Sequence, residues 1–500
     1  MDAGFIAGLI NTFSVEHLAF AFVGCFLGTA VGVLPGLGPS ATMALLLPLT
    51  LHMPPLGAII MLGGIFYGAA YGGSTTAILL NIPGEPSSIP AAIEGYPMTK
   101  QGRAGEALAM AAIVSFLAGI FGAVMVAVLG VPLARVALLF GPSEYFALVV
   151  FSLMAVTSIS EGTLIQRFVM LFLGLILASI GVDSITGTPR LNFGTIELMR
   201  GLELVPLLVG MFGISEVLLQ ADAGGNLFRG KLGSLLSMLP RGQELARGMA
   251  ASVRGTIIGF FLGLLPGMIP TVTSFLSYDV EKRIAKDPSR FGHGAIEGIG
   301  GPEAANNATS MAGFIPLMVF GIPTTGSLAI ILAALQINGL QPGPTLFTEH
   351  ALFAWTIIAS MFVANCMLLV LNLPLVGMWA RLSLVPYKYL GPAIIGFCVV
   401  GAYSGRQSMF DVVSALLAGV IAYRLRRKNW PLVPLIMGFL MGPLLEQALS
   451  QSLSLSGGSL AIFISRPYTA GILVAALVMM TIGATTIRNK IIHGGNHEIS

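Results

Sequence analysis

The stretch Gly28 to Thr42, GTAVGVLPGLGPSAT, returns 231 positions later as Gly259 to Thr273, GFFLGLLPGMIPTVT. Seven of the fifteen aligned positions are identical: Gly28/Gly259, Gly32/Gly263, Leu34/Leu265, Pro35/Pro266, Gly36/Gly267, Pro39/Pro270 and Thr42/Thr273. In both copies an apolar helix ends in Leu-Pro-Gly and a second helix opens at the next proline. Proline removes a backbone donor and glycine permits a tight turn, so each copy reads as a broken helix. In lipid such a break is tolerated only where protein or a water-filled cavity covers the freed backbone. Two related breaks at corresponding places in two half-chains point to the binding site of a transporter.

Composition agrees. Of 500 residues, 55% are hydrophobic and 9% charged, against about 25% charged in ordinary soluble domains. Mean hydropathy is +0.89. These values exclude a soluble globular chain, and no ten-residue alternating pattern suggests an outer-membrane barrel. They predict an all-α polytopic membrane protein of about 12 spans. The net charge of +3 comes with no basic patch suited to nucleic acid. Cys25, Cys366 and Cys398 stand alone in apolar stretches, without metal or redox spacing. The first basic residue is Lys100, so no cleavable signal peptide is expected.

The duplication extends beyond the opening stretch. Asn81-Ile82-Pro83-Gly84 answers to Gly321-Ile322-Pro323-Thr324, Gly141-Pro142 to Gly391-Pro392, and Leu204-Val205-Pro206-Leu207 to Leu432-Val433-Pro434-Leu435. Collinear anchors predict a first transmembrane repeat over residues 1–220 and a basic cytoplasmic linker over 221–244. A second repeat follows over 245–450, then a C-terminal helix and tail over 451–500. Equivalent loops carry opposite loads of Lys and Arg. The loop after the first Ile-Pro element holds Lys100 and Arg103, while its counterpart, residues 338–349, holds none. Basic loops prefer the cytoplasm, so the expectation is inverted-topology repeats with hairpins entering from opposite faces. The N-terminus is then periplasmic and the C-terminus cytoplasmic.

No catalytic motif is present: no HExxH, no Gly-x-Ser-x-Gly, no P-loop and no dinucleotide fingerprint. The six histidines lack ligand spacing. The chain reads as no enzyme, with no cofactor. Uncharged polar residues instead gather at the expected break points. In the first half these are Gly36, Ser40 and Thr42, then Ser74, Thr75 and Thr76, then Asn81. In the second they are Gly267, Thr271 and Thr273, then Glu303, Asn306, Asn307, Thr309 and Ser310, then Thr324 and Thr325. Interrupted helices present free N–H groups at one end and free carbonyls at the other, suited to carboxylates and to Na⁺ respectively. Asn306, Asn307 and Ser310 are the candidate Na⁺ ligands. Residues 1–99, 255–281 and 291–380 hold these clusters and no Lys or Arg. A substrate anion would therefore be held by helix N-termini, hydroxyls and amides. Hydroxyls also bond neighbouring helices routinely, which is the competing reading for a residue such as Thr42. The spacings Gly28/Gly32 and Gly259/Gly263 read as close helix packing. Glu85 and Glu303 beside the breaks read either as proton or cation carriers or as loop-directed groups. Glu144, Glu161, Arg167 and Glu216, near predicted span ends, read as snorkelling side chains.

The same residues carry a family likeness. The G-x-x-x-G-x-L-P-G-x-G-P stretch, Tyr71 to Pro86 with its Gly-Gly-Ser-Thr-Thr core, and Gly300-Gly301-Pro302-Glu303-Ala304-Ala305-Asn306-Asn307 together resemble the large permease subunit of the tripartite tricarboxylate transporters, the TctA family. The likeness covers essentially the whole chain. It implies an uptake permease of a bacterial inner membrane, coupled to Na⁺ or H⁺. It also implies a small membrane subunit (TctB-like), a periplasmic solute-binding protein (TctC-like), and a citrate-like or other organic acid as substrate. The rival readings are a passive organic-anion channel and a non-transporting membrane scaffold.

Overall fold

The structure, a computed structural model, describes residues 2–34, 38–81, 83–160, 162–183, 187–220, 239–382 and 387–494. The first half runs through α1 (Asp2–Thr12), α2 (Val15–Gly32), α3 (Pro39–Thr50), α4 (Pro55–Leu80), α5 (Ile89–Lys100), α6 (Ala104–Ala137), α7 (Pro142–Ile159) and α8 (Leu164–Ala178). A small antiparallel pair follows, β1 (Gly181–Val182) and β2 (Pro189–Arg190), then α9 (Ile196–Met199). The half closes with α10 (Leu204–Leu208), a π-helical turn (Val209–Ile214) and α11 (Ser215–Gln220). The second half contains α12 (Gly242–Gly263), α13 (Pro270–Ile284), α14 (Glu297–Ala312), α15 (Phe314–Phe320), α16 (Gly326–Ile337), α17 (Pro344–Thr348) and α18 (Ala351–Asn372). It continues with α19 (Val376–Leu382), α20 (Tyr387–Ser404), α21 (Met409–Arg427), α22 (Val433–Leu455), α23 (Ile462–Ser465) and α24 (Pro467–Gly494).

Among the described residues, seven helices are long and apolar enough to cross a bilayer, and six more apolar helices are shorter. The chain is an all-α polytopic membrane protein. Most of the expected basic linker, residues 221–238, lies outside the described residues, as do Gly36 and Glu161.

Glycine decides how the helices meet. Cβ atoms built on Gly24, Gly28 and Gly32 of α2 would lie 2.3, 2.5 and 2.4 Å from the carbonyl oxygens of Met61, Ile65 and Ala69 on α4. Gly64, Gly68 and Gly72 of α4 return the contact, each pressed against α2 backbone. The second half repeats the seam. Gly255 and Gly259 of α12 meet the carbonyls of Gly301 and Ala305 on α14 at 2.1 and 2.3 Å, and Gly263 meets Thr309 Cα at 2.7 Å. Without a hydrophobic driving force in lipid, such small-residue seams let backbones approach and gain dispersion contacts. The GxxxG spacings are packing devices, as their sequence implied.

The two half-chains also interlock. Gly210 before α11 packs on the Ala415 carbonyl of α21, and Gly438 of α22 packs on the Leu171 carbonyl of α8. The Leu-Val-Pro-Leu anchors therefore serve as crosswise contacts between halves. Helix ends match as well. Asn81 closes α4 in a left-handed conformation (φ 59°), and its counterpart Gly321 closes α15 in the same way (φ 70°). Glycine is the usual residue for that cap and asparagine the common substitute.

One end of the molecule collects charge. Arg103 pairs with Glu106 at 2.6 Å and with Glu244, while Glu297 lies 3.4 Å from both Arg247 and Arg290. Fully buried Glu94 accepts hydrogen bonds from Tyr278 Oη (2.7 Å) and from the backbone N–H groups of Gly292, Gly294 and Ala295 (2.6, 2.9 and 2.8 Å). It pins the loop before α14 onto α5. Arg254 of α12 holds Glu281 of α13 in a two-pronged bond of 2.7 and 2.6 Å, so these helices form an antiparallel hairpin.

Snorkelling does not describe Glu144, Arg167 or Glu216, all of which are buried. Glu144 is buried, accepting from Gly141 N (2.9 Å) and Thr469 Oγ1 (2.8 Å) and pairing with Arg466 at 3.0 Å. Arg167 is buried too, donating to the Ser158 carbonyl at 2.7 Å, one of the unpaired acceptors at the end of α7. A charge that can close a helix end or meet a partner inside the protein does not need to reach water.

Candidate functional site

The tips of both duplicated stretches border one cleft of about 490 Å³. Gly38, Pro39, Ser40 and Ala41 come from the first tip and the start of α3; Gly267, Ile269 and Thr271 come from the second tip and the start of α13. Gly84, Glu85 and Pro86 after α4 and Thr324 after α15 add the duplicated Ile-Pro elements. A volume in this range accommodates a small organic ligand.

Both helix starts keep donors free. Neither α3 nor α13 has a side-chain cap, and both carry proline in the first turn. The first intrahelical bond of α3 is Thr42 N to the Gly38 carbonyl, so the Ser40 and Ala41 N–H groups precede it. Thr271 N likewise precedes the first bond of α13, Val272 N to the Ile269 carbonyl. Uncapped N–H groups and the positive end of the helix dipole favour an anion. Gly267 sits at φ +83°, and a Cβ there would lie 2.6 Å from Val156 N, so only glycine fits that turn.

The far wall holds what sequence reasoning missed. Phe212 from the π-helical turn, Glu216 of α11, Arg426 of α21, and Asn429 and Trp430 after it all line the cleft. Arg426 pairs with Glu216 at 2.5 Å and donates to Ser215 Oγ at 3.3 Å. The expectation of a site without Lys or Arg is therefore corrected: one guanidinium reaches the cleft. Arg426 stands in a basic run with Arg424, Arg427 and Lys428 at the end of α21, and linear spacing does not reveal which member of a helix end faces inward. The available signal was the neighbouring Leu-Val-Pro-Leu anchor, whose Leu432 and Val433 also line the cleft.

Of the residues singled out in the sequence, Ser40, Gly267, Thr271 and Thr324 meet at this cleft, with Glu85. Ser40 Oγ lies 2.8 Å from Ser327 Oγ, tying α3 to α16. Thr324 Oγ1 is buried without a partner. The others serve elsewhere. Thr42 bonds back to the Gly38 carbonyl (3.0 Å), Thr76 to the Gly73 carbonyl (3.1 Å), and Thr325 caps α16 by accepting from Leu328 N at 3.2 Å. Thr273 and Thr309 share a hydroxyl contact of 2.8 Å that knots α13 to α14. Asn81 is an exposed helix cap.

Two clusters lie inside continuous helices, against the expectation of breaks. Gly72 to Thr76 falls within α4, and Asn306 to Ser310 within α14, whose end comes at Ala312. Helical periodicity then divides the second cluster: Glu303 and Asn307 share one face, and Asn306 and Ser310 the next. Asn306 Nδ2 approaches Glu85 Oε1 at 3.5 Å, towards the cleft. Asn307 Nδ2 donates instead to Ser115 Oγ (2.8 Å) and the Glu303 carbonyl (3.0 Å). Ser74 Oγ lies 2.8 and 2.9 Å from the two Glu303 carboxylate oxygens. Asn306, Asn307 and Ser310 are thus not brought together around one point, and the group proposed from sequence as a Na⁺ set is split.

Comparison with known proteins fits this picture. The model of the tripartite tricarboxylate transporter TctA family matches residues 18–437. An uncharacterized 52.8 kDa protein in the TAR-I ttuC' 3' region of Agrobacterium vitis is 43% identical over 484 residues, covering 97% of this chain and 96% of that protein. An uncharacterized protein in the TAR-II ttuC' 3' region of the same organism is 42% identical over 233 residues, covering 46% of this chain and 96% of that protein. No solved structure matches the chain.

Proposed function

The chain belongs to the tripartite tricarboxylate transporter TctA family, and on that premise we propose that it is the ion-coupled permease that carries an organic acid across a bacterial inner membrane. A periplasmic solute-binding protein delivers the acid, and a small membrane subunit completes the assembly. The observation that carries the reading is the cleft itself, where two uncapped helix N-termini from the two halves of the chain converge. Carboxylates are the ligands such ends favour, and Arg426 adds a planar donor fork for one of them.

The test is uptake into proteoliposomes holding all three components. Accumulation above equilibrium under an imposed Na⁺ or H⁺ gradient is the expected result. Equilibration without accumulation would make the protein a channel, and no uptake of any organic acid would leave it a scaffold.

The repeats are proposed to be inverted. Support comes from the sense of equivalent helices: Ser74 of α4 meets Glu303 of α14, while the earlier Tyr67 packs on the later Phe314 at the start of α15, so the two run in opposite directions. The N-terminus is then periplasmic and the C-terminus cytoplasmic. Single cysteines at His52 and Lys282 should be labelled from opposite sides of the membrane; labelling of both from one side would require parallel repeats.

A further inference from the structure

Beside the cleft, on the other face of α14, lies a second and much smaller chamber of about 20 Å³. Tyr71, Ser74 and Thr75 of α4, Ser115 of α6, Glu303 of α14 and Asn372 of α18 line it. A space of this size holds one particle no larger than a water molecule. Its polar walls are incompletely paired: Tyr71 Oη and Asn372 Oδ1 are buried and have no hydrogen-bond partner. Glu303 is 2% exposed, and its carboxylate is met by the neutral side chains of Ser74 and Ser115. Among the described residues no Lys, Arg or His forms an ion pair with Glu303, nor does any line the chamber. A carboxylate buried inside a membrane protein is neutralised either by a bound cation or by a proton. A proton would neutralise the carboxylate but leave the Tyr71 and Asn372 oxygens without a partner, and a water molecule would bond those oxygens without supplying charge; a single cation does both.

We propose that this chamber binds one Na⁺ ion, with Glu303 supplying the charge and the Ser74, Ser115, Tyr71 and Asn372 oxygens supplying neutral ligands. One carboxylate among neutral oxygens balances a single monovalent charge, and oxygen is the ligand type that hard cations take. Asn307 positions the set, since it holds Ser115 Oγ from one side and the Glu303 carbonyl from the other. The neighbouring residue Asn306 approaches Glu85 at the edge of the cleft. Occupancy of the chamber and geometry of the cleft are therefore linked through two consecutive residues of one helix, the connection an ion-coupled carrier requires. The inference rests on the carrier reading above and assigns it an ion and a place.

The test is Na⁺ binding by the purified full-length protein, read as the thermal unfolding midpoint in NaCl, KCl and choline chloride at fixed ionic strength. The wild type should show a saturable rise in NaCl alone. Glu303→Gln should lose that rise, while Tyr71→Phe and Asn372→Ala should each need at least tenfold more Na⁺ for half of it. If Glu303→Gln does not fold, the other two variants decide, and an unchanged half-point in both overturns the proposal. It is equally overturned by a wild type indifferent to Na⁺, or by a full response in Glu303→Gln. Uptake driven by a proton gradient in a protein that binds no Na⁺ would overturn the site and leave the carrier reading standing. Na⁺ binding without any uptake would do the reverse.

Discussion

Replacing Gly28 or Gly259 with alanine is expected to destabilise the protein more than almost any other one-carbon change. At both positions the added Cβ points at main chain, 2.5 Å from the Ile65 carbonyl oxygen in one case and 2.3 Å from that of Ala305 in the other. Real Cβ contacts do not fall below 3.0 Å, and main chain inside a helix cannot swing aside as a flexible side chain can. Relief requires the two helices to separate, which opens the seam at Gly24 and Gly32, or at Gly255 and Gly263, as well. Overpacking of this kind costs about 1–3 kcal/mol, and the upper end applies where backbone meets backbone on both sides. The sites lie in different helix pairs, so the two losses should add to within about 0.5 kcal/mol. Unfolding midpoints and monodisperse yield in detergent are the measurements. Gly396→Ala is the control, because that glycine lies exposed in α20 with nothing within 4 Å of a built Cβ. If Gly28→Ala were as stable as Gly396→Ala, the close seam would be wrong. Equal penalties at Gly28 and Gly259 are the mark of one packing device used twice.

That seam was readable because glycine spacing in an apolar run has few meanings. The shift of 231 positions between the two Leu-Pro-Gly copies and the agreement of Asn81 with Gly321 likewise reflect backbone demands, and backbone demands are written locally. The polar clusters were harder. Gly72-Gly73-Ser74-Thr75-Thr76 looks like an interruption by composition, yet α4 passes through it unbroken. In lipid, glycine, serine and threonine are interface residues at least as often as breakers, and Gly72 is spent on contact with Thr29 and Val33. Asn306 and Asn307 are adjacent in sequence but about 100° apart around a helix, so treating them as one ligand set ignored the period that separates them. Arg426 was hidden for a related reason. Three of the last four residues of α21 are basic, and only the position of Glu216 on another helix shows which of them turns inward.

Arg426→Gln should weaken organic-acid binding by about 100-fold, equivalent to about 2.8 kcal/mol at 1.4 kcal/mol per tenfold change. Arg426 is the one guanidinium among the described residues of the cleft, and bidentate Arg–carboxylate bonds are stronger than the neutral hydrogen bonds left behind. The single variant has two possible causes of failure, because it also removes an ion-pair partner of Glu216, which is 6% exposed. Weakening the compensation of a buried carboxylate is destabilising in its own right. The double variant Arg426→Gln with Glu216→Gln separates them, since it removes both charges and leaves two amides able to bond each other. Its unfolding midpoint should return to near the wild-type value while binding stays weak. Recovery of binding in the double variant would reduce the pair to a strut between α11 and α21. Glu216→Gln alone supplies the opposite sign. It frees the guanidinium for the cleft, so substrate should bind more tightly and leave more slowly, lowering KM and the maximal uptake rate together. Arg426→Lys keeps the charge but loses the fork, and should fall between the wild type and the glutamine variant. A carrier must release what it binds, and an arginine already shared with Glu216 holds an anion less firmly than a free one would. The pair thus trades affinity for turnover, and the paired fall in KM and rate is the result that a purely structural pair would not produce.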